Sequence, residues 1–383
     1  MKKVLYLHSG AELYGADIVL LELIKGLDKS KFEPHVLLPN DGPLVDAFKE
    51  EGVDVGVLEY PILRRKYFNP IGILQYVCKY RKYSQKIVDY CEYNQIDILH
   101  VNTSAVLEGC YIKKRTGLFV ICHIHEILTS PKIVVRFIFK LISKYSDRIV
   151  CVSRAAEKNF MKISGAKKEK MHVIYNGVDN KKFNLNNDAA YLRKEFGVKG
   201  GEIVIGMIGR VNAWKGQKDF VKAMNGVFQR NNKVKAILVG GVFAGQEWRM
   251  DELKRIIQES KFRDNFVVSD FRKDTPNLHS LFDVFVLPST EPDPFPTVVL
   301  EAMASGKPGV GYNHGGICEM VDDGKNCLLA EPGNVDDLSV KIESLVKDSS
   351  ARERIGKNNA KRQKSCFSVS DFVRKFQTIY GEA

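Results

Sequence analysis

No run of about 18 apolar residues occurs in this sequence, which excludes a helix that crosses a bilayer. There is no C-x-x-C pair and no cysteine spacing that suits a metal. The eight cysteines (Cys78, Cys91, Cys110, Cys122, Cys151, Cys318, Cys327, Cys366) include several in apolar runs, as at Ile121-Cys122 and Val150-Cys151. Buried, reduced thiols are therefore expected, and neither a disulfide framework nor a zinc site. A G-x-G-x-x-G fingerprint is also missing, which argues against a nicotinamide or flavin dinucleotide. No signal sequence is expected, since Met1-Lys2-Lys3 runs straight into an amphipathic pattern with His8, Glu12 and Asp17. The expected compartment is the cytoplasm. No short-period repeat or low-complexity tract is visible.

What is present is an ordinary globular composition, 44% hydrophobic and 27% charged, in a chain of 383 residues long enough for two cores. The net charge of +12 is unevenly spread. Residues 1–185 hold 29 Lys and Arg against 20 Asp and Glu, a surplus of nine; the remaining 29 against 26 leave a surplus of three. Such an N-terminal excess suggests an anionic partner for that half: membrane lipid, nucleic acid or a phosphorylated acceptor. No nucleic-acid-binding module is recognisable, so no nucleic-acid partner is expected.

Along the chain, apolar runs that read as strands alternate with helical patterns. Val4–Leu7 breaks at Ser9-Gly10 and leads to a helix near Ala16. Strands are expected at 35–38, 53–58, 96–101, 118–122 and 148–152, and helices at about 71–93, 105–114 and 131–144. Asn176-Gly177-Val178-Asp179 and the polar stretch 184–188 interrupt this series as a linker. A second series follows, with strands at 203–208, 235–239, 266–268, 284–287, 309–312 and 326–330. The alternation predicts an α/β protein of two Rossmann-like, doubly wound domains that face each other across a cleft. The expected division is residues 1–180, 181–365, and a C-terminal helix, 366–383, that returns to the first domain.

Chemistry concentrates in a few turns. Gly10-Ala-Glu-Leu-Tyr-Gly15 has the glycine spacing of a P-loop but continues Ala16-Asp17 where Lys and Ser/Thr are required, so nucleoside triphosphate hydrolysis is not expected. Its glycines could let backbone N–H groups approach an anion, or could simply form a tight turn. Gly209-Arg210 and Lys215-Gly216 lie between a strand and a helix, where a diphosphate can be gripped by a guanidinium fork and a compact ammonium. Thr290-Glu291-Pro292-Asp293-Pro294-Phe295-Pro296-Thr297 follows a buried strand and runs into a helix that stops at Gly306. Asp293 and Glu301 are eight residues apart and would share nearly one face if that helix began early enough. Gly315-Gly316 is a turn able to present amides. Trp214 could stack on a base or pack on the next helix. His123-Ile124-His125 alternates, which would put both imidazoles on one strand face. No acidic cluster supports a metal site.

Together these stretches resemble the retaining nucleotide-sugar glycosyltransferases of glycosyltransferase family 4, which have the GT-B fold. The resemblance runs over nearly the whole chain. It rests on the Gly-rich first turn, His125-Glu126, Asn176-Gly177-Val178-Asp179, Gly209-Arg210 with Lys215-Gly216, and the E-x7-E-like segment that ends in Glu301-Ala302-Met303. It implies that Arg210 and Lys215 neutralise the donor diphosphate as it leaves, and that Glu301 accepts hydrogen bonds from the ribose. Asp293 and His125 would lie near the transferred sugar. Gly15, Gly209, Phe295, Thr297, Val298, Gly315, Gly316 and Glu319 would surround the donor, and Gly10 and Glu126 the acceptor. No metal and no cofactor are implied; the nucleoside-diphosphate sugar is a substrate.

Two positions depart from the family pattern. Asp293 is one methylene shorter than the usual Glu, with Glu291 a badly spaced substitute. Pro296 replaces a common Gly and removes an N–H. The implied reaction moves a sugar, with retention, to a saccharide acceptor carried on a lipid, in bacterial surface polysaccharide or glycoconjugate synthesis. The alternatives are a nucleotide-sugar epimerase of the same fold and a non-catalytic nucleotide-sugar or glycan binding protein. In the basic half, Lys132, Arg136, Lys140 and Lys144 recur every four residues and form one helical stripe. That stripe, with Arg64-Arg65-Lys66 and Lys79-Tyr80-Arg81-Lys82, suggests peripheral attachment to an anionic membrane at the inner face of the cell membrane; ordinary solvated faces are the alternative.

Overall fold

Alternation along Lys2–Leu7 (β1) is two-sided. Val4 and Tyr6 enter one apolar core while Leu5 and Leu7 enter another. A strand buried on both faces belongs to a parallel sheet covered by helices on each side. β1 pairs in parallel with Phe32–Leu38 (β2) and Ile98–Val101 (β4). With Asp54–Val57 (β3), Phe119–Ile124 (β5), Arg148–Cys151 (β6) and Met171–Val173 (β7), these strands form a seven-stranded sheet, β3-β2-β1-β4-β5-β6-β7. A second sheet has six parallel strands: Ile203–Ile208 (β8), Val234–Val239 (β9), Phe266–Ser269 (β10), Val284–Leu287 (β11), Gly309–Tyr312 (β12) and Cys327–Ala330 (β13). Their order is β10-β9-β8-β11-β12-β13.

The computed structural model describes residues 1–383 as two units, one of Met1–Asn176 with Val369–Ala383 and one of Gly177–Ser368. The helix Val369–Gly381 lays Phe372, Phe376 and Tyr380 into the core of the first unit, and Tyr380 donates or accepts at Tyr6 Oη over 3.1 Å. Within the second unit, Val178 N–H donates to the Phe367 carbonyl at 3.0 Å and Gln363 Nε2 to the Val178 carbonyl at 3.0 Å, so the segments next to the two chain crossings run side by side.

The elements that escape the sequence pattern include the helices Pro43–Glu50, Arg154–Ser164, Ala190–Glu195, Thr275–Leu281 and Ile317–Met320 and the three-residue strand β7. Each is only one to three turns or one short pairing long, too short for a periodic signal. The cysteines also differ from expectation. All eight are free, but Cys78, Cys318 and Cys366 are exposed, because each sits on the outer face of a helix.

The first unit also buries one carboxyl group without a partner. Glu108 opens the helix Glu108–Thr116, is fully buried, and neither oxygen makes a hydrogen bond. Burial pushes its carboxyl up to about 8, only partly opposed by the nearby Glu108 and Leu107 amides. Between the ordinary carboxyl range and pH 8 the folded chain holds a proton that the unfolded chain has released, so stability falls as pH rises through that window. From pH 5 to pH 7 the loss specific to this group is about 2–3 kcal/mol. Denaturant unfolding of the wild type and Glu108→Gln at both pH values measures it: between pH 5 and pH 7 the stability difference should shift by that amount in favour of the variant.

Candidate active site

In the second sheet, the chain reverses direction at β8. β9 and β10 lie on one side of it and β11–β13 on the other. A doubly wound sheet opens a crevice beyond the carboxyl ends of its strands at that point. The loops after β8 and β11 meet there. Asn212 Oδ1 accepts from the N–H groups of Trp214 and Lys215 at 3.0 and 2.9 Å, an Asx turn that fixes the loop. Thr290 N–H donates to the Trp214 carbonyl at 2.7 Å, joining the two loops. Across the join, Lys215 Nζ donates to Asp293 Oδ2 at 2.5 Å, with side-chain exposures of 14% and 11%. Arg210 is half-buried, its guanidinium 3.5 Å from the Phe243 ring centroid. That stacking holds the cation at the strand end.

Glycines set how closely these parts approach. Gly216 has φ of +84°, and a Cβ there would lie 1.8 Å from the Pro288 carbonyl oxygen. It brings the helix Gln217–Arg230 against the end of β11. Gly209 has only the Lys215 Cδ near a notional Cβ, at 3.9 Å.

The helix Thr297–Ala304 starts after the prolines, so Asp293 lies in the loop before it, and Asp293 and Glu301 do not share a helical face. Pro296 takes the N-cap position at φ of −68°, where the missing N–H costs the helix nothing. The first-turn N–H groups of Thr297 and Val298 have no acceptor within the chain. Phe295 is buried, its ring 5.8 Å from that of Phe367. Glu301 Oε2 lies 3.2 Å from Nε2 of the fully buried His279, which orients the carboxylate.

Of the two amides at Gly315 and Gly316, one is engaged within the chain. The Gly316 N–H donates to the Asp293 carbonyl at 2.7 Å, and a Cβ on Gly316 would lie 2.0 Å from the Pro294 carbonyl oxygen. This turn is the seat of the Asp293-Pro294 loop, and the Gly316 amide is spent on it. Glu319 follows, half-buried on the short helix Ile317–Met320.

In the first unit, the carboxyl ends of β1, β4 and β5 carry a hydrogen-bonded chain. His8 Nε2 lies 2.7 Å from Asp17 Oδ1, Asn102 Nδ2 lies 3.1 Å from His8 Nδ1, and His125 Nε2 lies 2.9 Å from Asn102 Oδ1. Asp17 accepts from His8 Nε2–H, so His8 Nδ1 accepts from the Asn102 amide. The Asn102 oxygen then accepts from His125 Nε2–H. His125 is thus left as the tautomer whose Nδ1 is a free acceptor. Burial, with His8 and His100 nearby, pulls His125 down to about 3, so it is neutral at physiological pH.

His123 lies beside His125 on the same strand face, ring centroids 4.0 Å apart, but is fully buried. Glu126 is not an open carboxylate: it accepts from Thr103 Oγ1 at 2.5 Å, from Ser104 Oγ at 3.0 Å and from His125 N–H at 3.1 Å. It ties the ends of β4 and β5 together. A Cβ on Gly10 would meet nothing within 4 Å, and Gly15 is the exposed first residue of the helix Gly15–Lys25.

Sequence reasoning missed His8, Asp17, Asn102, Asn212 and His279. His8 and Asp17 bracket the Gly-rich turn and could have been paired; His279 has no local signal, since its partner is 22 residues away.

Comparison with known proteins follows the same two-part division. Residues 14–182 match the family described as Glycosyltransferase Family 4, and residues 188–362 the one described as Glycosyl transferases group 1. The chain is 28% identical over 240 residues, 61% of its length, to the uncharacterized glycosyltransferase MJ1607 of Methanocaldococcus jannaschii, and spans 60% of that protein. It is 24% identical to the UDP-Gal:alpha-D-GlcNAc-diphosphoundecaprenol alpha-1,3-galactosyltransferase of Escherichia coli, over 95% of this chain and 96% of that one. Among solved structures, Anabaena HepE in complex with UDP and glucose superimposes over 100% of both chains, with a TM-score of 0.87 and 26% identity.

Proposed function

This chain belongs to the glycosyltransferases of the GT-B type, resembling family 4, and on that premise we propose that it transfers a sugar, with retention, from a nucleoside-diphosphate sugar to a saccharide acceptor. The observation that carries the reading is the charge arrangement at the β8–β11 crevice. Arg210 ends β8, and Lys215 meets the Asp293 loop, which leads into the helix whose Thr297 and Val298 N–H groups have no acceptor. Such a group of donors suits a diphosphate. HepE, similar over its whole length, binds UDP and glucose.

In the proposed step, the bond from the sugar's anomeric carbon to the distal phosphate oxygen breaks, and its electron pair stays on that oxygen. The acceptor hydroxyl oxygen bonds to the same carbon from the same face, and its proton passes to the leaving phosphate oxygen. No side-chain nucleophile and no metal enter this step. Arg210, Lys215 and the helix amides stabilise the charge that grows on the diphosphate. Glu301, oriented by His279, takes the ribose hydroxyls, and Gly209 leaves room beside the phosphates. Within the first unit, His125 Nδ1 is an acceptor suited to a hydroxyl group.

The acceptor is proposed to be lipid-linked, as its name states for the Escherichia coli relative, and to belong to bacterial surface glycoconjugate synthesis. We place the basic first unit on an anionic membrane surface. Lys132, Arg136, Lys140 and Lys144 are all exposed on the helix Lys132–Tyr145, next to exposed Ile133 and Phe137. No helix of the structure is long and apolar enough to cross a membrane.

A thermal-shift screen against UDP, GDP, dTDP and CDP tests the donor reading. A ligand present at 100 times its Kd adds about 2.7 kcal/mol of stability, or roughly 5–10 °C for a domain of this size. One diphosphate should give that shift, and Arg210→Ala should remove most of it. No shift with any of the four would refute the proposal. Product analysis with the matching sugar nucleotide then separates transfer, which gives a glycoside, from epimerisation, which gives a new sugar nucleotide.

A further inference from the structure

A cavity of about 240 Å³ lies beyond the carboxyl ends of β2 and β3 in the first unit, and its Tyr60 wall is hydrogen-bonded to the His8 backbone. Glu59, Tyr60, Arg64, Lys66, Tyr67 and Lys79 are among the residues that line it. Three cations face a single carboxylate there. None of the three is ion-paired to any carboxylate of the chain, although Lys66 leans over the Tyr67 ring at 5.1 Å. Its volume falls below the roughly 300–1,000 Å³ of sites for drug-sized ligands, and suits a compact anionic head group.

The walls are fixed. Tyr60 Oη donates to the carbonyl of His8 or Leu37, at 2.6 and 2.7 Å, and accepts from His8 N–H at 3.1 Å. The cationic loop is pinned to the helix Pro70–Asn94: Asn69 Oδ1 accepts from Gly72 N–H at 2.9 Å, and Asn69 Nδ2 donates to the Lys66 carbonyl at 2.9 Å. A Cβ on Gly72 would lie 2.8 Å from both the Lys66 carbonyl oxygen and Tyr67 Cα, so a glycine permits this approach.

The helix held in this way shows an unusual outer face. Ile71, Ile73, Leu74 and Val77 are exposed by 36% to 71%, with Phe68 exposed just before them. Farther along, the exposed positions turn cationic at Lys79, Arg81, Lys82 and Lys86. An apolar end that passes into a basic one beside a cationic cavity matches the layering of a bilayer surface, where hydrocarbon lies under phosphate. A soluble anion would need the cavity but not the apolar turns. A general anionic surface would need the charges but not the cavity.

We propose that this cavity takes the phosphate or diphosphate head group of a membrane lipid, while Phe68, Ile71, Leu74 and Val77 enter the hydrocarbon beside it. The proposal rests on the lipid-linked acceptor reading and adds the place and chemistry of the lipid end: a phosphate ester on an apolar tail. Arg64 and Lys79 grip the phosphate oxygens, and Lys66 adds charge at the rim.

Vesicle flotation with the full-length chain tests this. The vesicles are phosphatidylcholine alone, phosphatidylcholine with a polyprenyl diphosphate, and phosphatidylcholine with enough phosphatidylglycerol to match the charge. Binding to the diphosphate vesicles should exceed binding to the charge-matched vesicles at least tenfold. The double variant Arg64→Ala/Lys79→Ala should lose that preference while its melting temperature stays unchanged, since both residues are exposed. Ile71→Ser/Leu74→Ser should lose the preference for the diphosphate vesicles and keep only the binding to anionic vesicles that the Lys132–Lys144 stripe provides. Inorganic pyrophosphate should compete only weakly, because it lacks the tail. Equal binding to the two charged vesicles, or an Arg64→Ala/Lys79→Ala variant that keeps its preference, would overturn the proposal. Nucleotide thermal shifts should not change in either variant, so failure of the donor reading and failure of this site are separate results.

Discussion

Arg210→Ala should lower turnover about 10²–10³-fold, the usual effect of deleting one donor that stabilises charge in a transition state. The reason lies in the placement of the side chain. Its guanidinium is stacked 3.5 Å from the Phe243 ring centroid at the end of β8, and so is held where a leaving diphosphate would gain charge. Loss of the stacking should cost stability only about 0.5–2 kcal/mol. Lys215→Ala should cost a similar factor in turnover but more stability, because it would leave the largely buried Asp293 carboxyl group without its partner at 2.5 Å. The double variant Lys215→Ala/Asp293→Ala separates the two effects. Stability should recover, since no charge is left alone, whereas turnover should stay low. Initial rates with the nucleotide sugar chosen by thermal shift, beside urea unfolding of each variant, measure both. Wild-type turnover in Arg210→Ala would remove it from the mechanism.

Gly216→Ala is expected to be the most damaging change to the fold of the second unit. The added methyl would lie 1.8 Å from the Pro288 carbonyl oxygen, on a residue whose φ of +84° disfavours any side chain. Neither side can yield easily: Gly216 caps the helix Gln217–Arg230, and Pro288 directly follows β11. Strained φ and overpacking together should cost at least about 4 kcal/mol. Urea unfolding followed in the second unit should show this loss. Gly10→Ala is the matched control, since its Cβ would meet nothing within 4 Å and no change above about 0.5 kcal/mol is expected. A stable, nucleotide-binding Gly216→Ala protein would mean that the two loops are not held as tightly as this contact requires.

Much of the molecule follows from local pattern. Strands buried on both faces, such as Val4–Leu7 and Val284–Leu287, read as apolar runs because a parallel sheet covers both sides. Helices long enough to repeat at 3.6 residues were equally legible. The glycines and cations at 209–216, and the prolines that delay the helix to Thr297, announced a strand–turn–helix site because turn chemistry is written in adjacent residues. What local pattern could not carry was which distant groups meet. Asp293 is joined to Lys215, 78 residues away; His125 is linked through Asn102 and His8 to Asp17; Glu301 depends on buried His279. The Gly316 amide of the Gly315-Gly316 turn is held by the Asp293 carbonyl at 2.7 Å, a pairing of two distant segments that only the packed sheet brings together. The sequence by itself determined the sheet class, the two-part division and the residue types at the crevice, since these depend on periodicity and turn preference. The tertiary structure alone decided which of those residues stay open to a ligand, because hydrogen-bond partners and close approaches are set by strand order, and strand order is not local.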